Sequence, residues 1–202
     1  MYYNTNAHVA RSQPINDRVK FRHFAGTVKV QEYRDSPQAT FRKIIHLVRD
    51  SAENNRYTYQ LRDWARMIAK QYGAATQDEI IFAIYDWVKN NMVYVNDPAY
   101  NELIHSAEVL MRRHFELGDL SGDCDDFTIL ICALLLQLGI PCKARMIKLP
   151  QSDGSYQYAH IYPMAKASNG VWYSLDATEK QKQLGWEAPH RHGDNKDFVF
   201  WS

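Results

Sequence analysis

The chain has 202 residues, of which 46% are hydrophobic, and its 24 Lys and Arg residues against 23 Asp and Glu residues leave a formal net charge of +1. A chain of this length and composition can bury a hydrophobic core as one domain, which excludes an intrinsically disordered protein. The near-neutral charge provides no electrostatic attraction to nucleic acid or to an anionic membrane, so we expect neither partner.

Residues 1–38 are predicted to form an amino-terminal arm. Near-alternate apolar residues at Val28, Val30 and Tyr33 indicate one or two short strands within it. The aromatic residues of the arm could dock onto a protein partner.

Four helices are predicted before Cys124. Apolar residues recur at helical spacing from Ala39 onward and again from Tyr57 onward. Thr76 and Glu79 have the spacing of a capping box, so a third helix is expected to begin there. Ser106 is the expected N-cap of a shorter fourth helix.

The next predicted helix is the most informative part of the chain. Almost every residue of 127–138 is apolar, which is typical of a helix that is buried on all sides, and Gly139 is expected to end it. Cys124 lies at its first turn. There the partial positive charge of the helix end and its backbone N–H groups favour a thiolate and can hold an oxyanion. Cys124 is therefore predicted to be a nucleophile.

The residues around this cysteine have simpler interpretations. Cys132 and Cys142 are expected to be core residues with free thiols, because the three cysteines form neither a zinc pattern nor an evident disulfide framework. Asp123, Asp125 and Asp126 are expected to complement the helix N-terminus. Three carboxylates raise the pKa of a nearby thiol unless they point away or have partners. We expect no metal and no cofactor.

After this helix the apolar residues recur with a period of two, which predicts three strands of an antiparallel meander between residues 143 and 176. Helices followed by an antiparallel sheet indicate an α+β fold. His160 lies in the second strand and Asp176 at the end of the third. The imidazole could serve Cys124 as a base and the carboxylate could orient that base, although Asp176 could instead only cap a turn with Thr178.

The pairing of histidine and aspartate depends on the turn between these two strands. A two-residue turn at Asn169–Gly170 would place Asp176 opposite Pro163, about 10 Å from His160 at roughly 3.3 Å per residue. A hydrogen bond cannot span that distance. The triad therefore predicts a wider loop centred near Ser168, or a bulge that restores the register.

Four motifs stand together in this sequence: GDCDD around Cys124, a helix that ends in Gly-Ile-Pro, His160 placed 16 residues before Asp176, and the segment WYSLDAT. Together they resemble the transglutaminase-like superfamily, in particular its small bacterial and phage-associated members. The resemblance implies a papain-like fold, with amino-terminal helices and a central buried helix packed on an antiparallel sheet, in a catalytic domain of residues 39–202. It implies Cys124 as nucleophile, His160 as general base and acid, and Asp176 as the orienting carboxylate.

The resemblance also implies an acyl-transfer enzyme that acts on amide bonds of a protein or peptide substrate. Water would resolve the thioacyl intermediate in a protease or amidase, and an amine would resolve it in a cross-linking transferase; we expect hydrolysis. Tyr94 is a further candidate, as a second oxyanion donor. The alternative is a non-catalytic assembly protein, conceivably of a phage particle, that retains the fold.

The expected location is the cytoplasm. The amino-terminal residues lack the apolar region of a signal peptide, and the longest apolar run, residues 129–136, is too short to span a bilayer. Association with a virion is the alternative location.

Overall fold

The computed structural model describes residues 28–32, 37–53, 55–98, 101–190 and 193–200. The amino-terminal arm lies mostly outside these ranges. Its docking role and its boundary with the catalytic domain therefore stay predictions.

Helices occupy most of the first part of the described chain, and the main sheet occupies the last part. The helices are α1 (Pro37–Glu53), α2 (Asn55–Gln71), α3 (Gln77–Asn91), α4 (Ala107–Leu117) and α5 (Cys124–Gln137). The strands are β1 (Val28–Glu32), β2 (Val93–Tyr94), β3 (Asn101–His105), β4 (Ser121–Gly122), β5 (Cys142–Pro150), β6 (Tyr156–Lys166), β7 (Trp172–Ser174) and β8 (Lys196–Val199). This arrangement confirms the predicted α+β fold.

The main sheet has four antiparallel strands in the order β7-β6-β5-β8. The predicted meander is confirmed, but its third strand ends at Ser174 and not at Asp176. Two smaller pairs complete the described sheets: β1 with β3, antiparallel, and β2 with β4, parallel. The sequence did not predict β3, β4 or β8.

Helix α5 lies at the centre of the fold, in contact with the four other helices and with β6. Every residue of this helix after Cys124 is buried. Burial of each Leu or Ile side chain contributes about 1.5–3 kcal/mol, so packing fixes the position of the helix far more than its intrinsic propensity does. Gly139 follows its end with φ at +73°, as the sequence predicted.

The predicted caps differ in outcome. At the start of α3, the Thr76 hydroxyl accepts a hydrogen bond from the Glu79 backbone N–H, and the Glu79 carboxylate accepts one from the Thr76 N–H, which confirms the capping box. Ser106 is the N-cap residue of α4, but its side chain makes no capping hydrogen bond there.

Helices α1 and α2 have 17 residues each. Each buries one face, with Ile44 and Leu47 of α1 and Leu61 and Ile68 of α2 in the main core. Within the described ranges, no helix combines the length and the apolar character that crossing a bilayer requires.

Candidate active site

His160 and Asp176 are joined by a short hydrogen bond, with Nε2 of the imidazole 2.7 Å from Oδ2 of the carboxylate. Asp176 is only 1% exposed, so little water competes for its oxygens. Its Oδ1 accepts the hydroxyl of Thr178 at 2.7 Å and the backbone N–H of Thr178 at 3.3 Å. One oxygen thus caps a turn while the other orients the imidazole. A carboxylate acceptor places the proton on Nε2 and leaves Nδ1 as the basic nitrogen.

The hairpin that carries these two residues has a three-residue loop. Ala167 donates its N–H to the carbonyl of Val171 at 2.8 Å, which encloses residues 168–170. The loop is wider than the two-residue turn that would have separated the pair. Its centre is Asn169, so the predicted centre near Ser168 was wrong by one residue.

The register of this hairpin places Asp176 near Tyr162, because Met164 pairs with Ser174 and the ladder runs antiparallel. His160 lies two residues farther along, roughly 6–7 Å at the usual rise per residue. The side chain of Asp176 spans this offset because the strand ends before it, so the carboxylate is not held directly opposite Tyr162. Diagonal neighbours across a sheet are within reach of such side chains.

A β-bulge precedes His160. Ile147 of β5 pairs with His160, but the next residue, Lys148, pairs with Tyr158, so Ala159 is the extra residue on β6. Bulges of this kind redirect the side chains beside them and are frequent next to active sites. This bulge lies in the pairing of β6 with β5. A bulge that restored the register between His160 and Asp176 would instead lie in the pairing of β6 with β7.

The amino-terminal end of α3 holds the hairpin loop. Asp78 accepts the backbone N–H of Ser168 at 2.8 Å and its hydroxyl at 2.7 Å, and these two bonds hold the pKa of the Asp78 carboxyl below its usual range. Gln77 donates to the carbonyl of Lys166 at 2.6 Å. These contacts join segments about ninety residues apart in the sequence and fix where the loop turns.

Tyr162 lies beside His160 on the same strand, with 5.8 Å between the two ring centroids. Its hydroxyl donates to Glu187 at 2.8 Å, and Glu187 is 3.6 Å from Arg145. Burial and the Glu187 carboxylate raise the pKa of Tyr162, so its hydroxyl stays a donor. This chain of contacts holds a fully buried ring against the imidazole, and the sequence did not predict it.

Cys124 is the first residue of α5, and among the three thiols of the chain it alone is not buried. Asp123 is the N-cap, and its Oδ1 accepts the N–H of Asp125 at 3.2 Å. Cys132 and Cys142 lie in the core as predicted, and burial raises the pKa of the Cys142 thiol. The partly exposed thiol is thus the one at the helix N-terminus.

Thr128 connects the first turn of α5 to the strand that carries His160. Its hydroxyl oxygen lies 2.8 Å from the carbonyl oxygen of Cys124 and 3.3 Å from that of Ile161, the residue after His160. Thr128 is fully buried. The backbones of the nucleophile and of the base are therefore linked through one hydroxyl group.

Tyr94 lies close to the cysteine. It pairs with Gly122 in the small parallel sheet, and its ring centroid is 6.3 Å from that of Phe127 on α5. Tyr94 is 40% exposed, but partial burial of its phenol still raises its pKa above the ordinary range, and the nearby acidic groups of Cys124 and Asp123 add to the shift. Tyr94 therefore keeps its proton and can donate a hydrogen bond near the thiol.

The acidic residues beside the cysteine have different roles. Carboxylate oxygens of Asp123, Asp125 and Asp126 lie within 4.8 Å of one another, a spacing at which a cation can be held. However, Asp123 caps the helix, and both oxygens of Asp126 bond to His105. Protein donors thus already use both oxygens of Asp126 and one oxygen of Asp123. All three residues lie at the helix N-terminus as predicted, Asp123 as the N-cap and Asp125 and Asp126 in the first turn, and Asp126 has the additional contacts to His105.

Gly122 has no room for a side chain. A Cβ at this position would lie 2.2 Å from Oδ2 and 2.6 Å from Cβ of Asp126. The clash includes a carbon close to the helix backbone, so rotation of the carboxylate alone cannot relieve it. This contact explains the glycine two residues before the cysteine.

We expect Gly122→Ala to lower the free energy of unfolding by about 1–3 kcal/mol, since it overpacks this contact. Urea unfolding of the variant measures the loss. The same substitution in an Asp126→Gly background should cost less, because both the Cβ and the carboxylate that it strikes are absent. Equal costs in the two backgrounds would contradict the steric explanation.

The solved structures that resemble this chain include the following three. A "putative protease" of Parabacteroides distasonis ATCC 8503 has 16% identity and a TM-score of 0.50, over 77% of this chain and 28% of that one. A "putative cysteine protease" of Cytophaga hutchinsonii has 22% identity and a TM-score of 0.42, over 85% and 58% of the two chains. The periplasmic domain of TgpA from Pseudomonas aeruginosa, bound to ethylmercury, has 18% identity and a TM-score of 0.42, over 61% and 45%.

This chain thus spans between 28% and 58% of the length of those three proteins. No curated protein sequence matches it. Residues 62–177, more than half of the chain, match the model of the transglutaminase-like superfamily, and this range includes the cysteine, the histidine and the aspartate of the candidate site. The chain therefore belongs to the transglutaminase-like superfamily.

Proposed function

We propose that the protein is a cysteine-dependent acyl-transfer enzyme that cleaves amide bonds of proteins or peptides. The observation that carries this proposal is the 2.7 Å hydrogen bond between His160 and the buried Asp176. It is supported by the position of Cys124 at the start of α5, whose first turn is bonded through Thr128 to the strand of the histidine. An imidazole fixed in this tautomer is able to accept a thiol proton.

In the first half of the reaction, His160 takes the proton of Cys124 and the thiolate attacks the amide carbon. The negative charge that develops on the carbonyl oxygen is held by backbone N–H groups at the start of α5 and by the Tyr94 hydroxyl. The carbon–nitrogen bond then breaks, and His160 donates its proton to the departing amine. A thioester on Cys124 remains.

In the second half, water attacks the thioester and His160 accepts its proton, which releases the acid and restores the thiol. An amine in place of water would give a new amide. We favour hydrolysis. The same residues serve both outcomes, and the product formed from a trapped thioacyl enzyme, in water with and without an added amine, distinguishes them.

The test of the proposal is alkylation of Cys124 by iodoacetamide across a range of pH. The ordinary pKa of a cysteine thiol is about 8.5, so an activated thiol should react at a pH well below this. In His160→Ala this advantage should be lost. The matched control is His46→Ala, since His46 is exposed on α1. Ordinary thiol behaviour in the wild-type protein would exclude the proposed chemistry.

Tyr94→Phe tests the second oxyanion donor. Loss of one such donor typically lowers the rate of the chemical step by about 100-fold or more. We expect a fall of that size in the acylation of Cys124 by p-nitrophenyl acetate, with iodoacetamide alkylation little changed, because alkylation develops no oxyanion. An unchanged acylation rate would remove Tyr94 from the mechanism.

A further inference from the structure

A second histidine–aspartate pair lies beside the nucleophile. Asp126 follows Cys124 by two residues and is 1% exposed. Its Oδ1 accepts the backbone N–H of His105 at 2.9 Å, and its Oδ2 lies 2.9 Å from Nδ1 of the same residue. One buried carboxylate is thus bonded twice to a single residue at the end of β3.

These bonds fix the backbone on both sides of the cysteine. Asp126 belongs to the first turn of α5, and its side chain occupies the space that a Cβ of Gly122 would need. Gly122 in turn pairs with Tyr94. Asp126 therefore belongs to the helix turn after Cys124 while its side chain lies against the residue two before it, so its position restricts the direction in which the thiol and the nearby N–H groups point.

The partner of the carboxylate is itself held in place. His105 ends a strand that pairs with β1, and its side chain is 14% exposed. Two residues before it, Leu103 donates its N–H to Asp97 at 2.5 Å. Asp97 follows the strand of Tyr94, so a closed series of contacts joins the oxyanion donor, the histidine and the nucleophile helix.

The charges around the pair are mostly negative. Burial raises the pKa of Asp126, and the His105 contacts oppose that shift. Burial, together with negative charge at Asp123 and Asp126, raises the pKa of Asp97 to about 6. The hydrogen bonds from the backbone N–H and the ring of His105 thus offset the free-energy cost of burying this carboxylate.

We infer that Asp126 and His105 are positioning residues, which align Cys124 with the groups that hold the oxyanion in the acyl-transfer reaction. The inference rests on the proposed function. The inference predicts different effects on two reactions of the same thiol, because acylation by p-nitrophenyl acetate passes through an oxyanion and alkylation by iodoacetamide does not. A misaligned thiol loses the first reaction and keeps the second.

The experiment measures both rates in Asp126→Ala, Asp126→Asn and the control Asp153→Ala, whose carboxylate caps the β5–β6 turn. In Asp126→Ala we expect acylation to fall by about 10- to 100-fold, as for a displacement of about 1 Å, and alkylation to stay within a few-fold of wild type. Asp126→Asn should recover most of the acylation rate, since an amide can accept the backbone N–H and donate to a His105 ring that has changed tautomer. The control should match the wild type.

Equal falls of acylation and alkylation in Asp126→Ala would overturn the inference, since they indicate general damage to the fold. So would wild-type acylation in that variant, or an Asp126→Asn protein as slow as Asp126→Ala. If Asp126→Ala does not fold, His105→Ala carries the same test, because it removes the ring contact and keeps the backbone N–H. An unreactive thiol in the wild-type protein would instead overturn the proposed function, so the two failures are distinct.

Discussion

Cys124→Ala should abolish the thioacyl adduct and lower the rate of acyl transfer by about 10⁴-fold or more, as loss of a catalytic nucleophile does elsewhere. The physical reason is that no other thiol can replace it, since Cys132 and Cys142 are fully buried. Mass spectrometry after reaction with p-nitrophenyl acetate locates the adduct, and release of p-nitrophenolate gives the rate.

The control for this experiment is Cys132→Ala. It removes one sulfur atom from the core, so we expect a loss of roughly 1 kcal/mol in the free energy of unfolding with an unchanged acylation rate. Acylation that persists in Cys124→Ala, or an adduct found on either buried cysteine, would show that the nucleophile has been misassigned.

Asp176→Asn should lower the acylation rate by about 10³- to 10⁴-fold without unfolding the protein. Thr178 donates twice to Oδ1 of Asp176, so the amide oxygen should take that side. The amide NH₂ would then face Nε2 of His160 and donate to it. That contact forces the proton onto Nδ1, and an imidazole protonated there cannot accept the thiol proton.

Thr178→Val is the matched control for this substitution. It removes the hydroxyl that donates to Oδ1 but leaves the backbone N–H and the carboxylate charge. We expect a loss of no more than about 10-fold, because the carboxylate keeps its charge, its bond to His160 and the Thr178 backbone N–H. If Asp176→Asn were as active as Thr178→Val, the tautomer argument would be contradicted.

The features that could be predicted from the sequence are those with local causes. An unbroken apolar run with a glycine at its end predicts α5, and two side chains three residues apart predict the capping box at Thr76. The position of Cys124 in the first turn follows from the same local pattern. His160 and Asp176 were found through their spacing and the resemblance, and the structure places their side chains in contact.

The missed features depend on contacts between distant parts of the chain. Strand β8 pairs only with β5 among the described strands, and its Asp197 bonds to Lys143 and Arg145, more than fifty residues away. The centre of the hairpin loop is set by Asp78, about ninety residues earlier than Ser168. No local pattern encodes such pairings.

The role of Asp126 was missed for a different reason. Three acidic residues around a helix start have an ordinary explanation in the helix dipole, and that explanation is sufficient for Asp123. A signal was present, however. Asp126 stands directly before a run of apolar residues on a helix without a polar face, so its side chain had to be buried and required a donor. His105 lies in a segment with no recognisable sequence pattern, so only the structure identifies it as the donor to Asp126.

The hydroxyl of Thr128 has one hydrogen for two carbonyl groups, those of Cys124 and Ile161. When the hydroxyl hydrogen points to one carbonyl group, the other carbonyl group loses its hydrogen bond. The rotation of this single hydroxyl therefore sets the polarisation of both peptide groups. Serine retains the hydroxyl and valine removes it at nearly constant volume. In Thr128→Val both carbonyl groups lose this donor, so isotope-edited infrared spectroscopy should show the amide carbonyl frequencies of residues 124 and 161 both rising, whereas Thr128→Ser should leave both near the wild type.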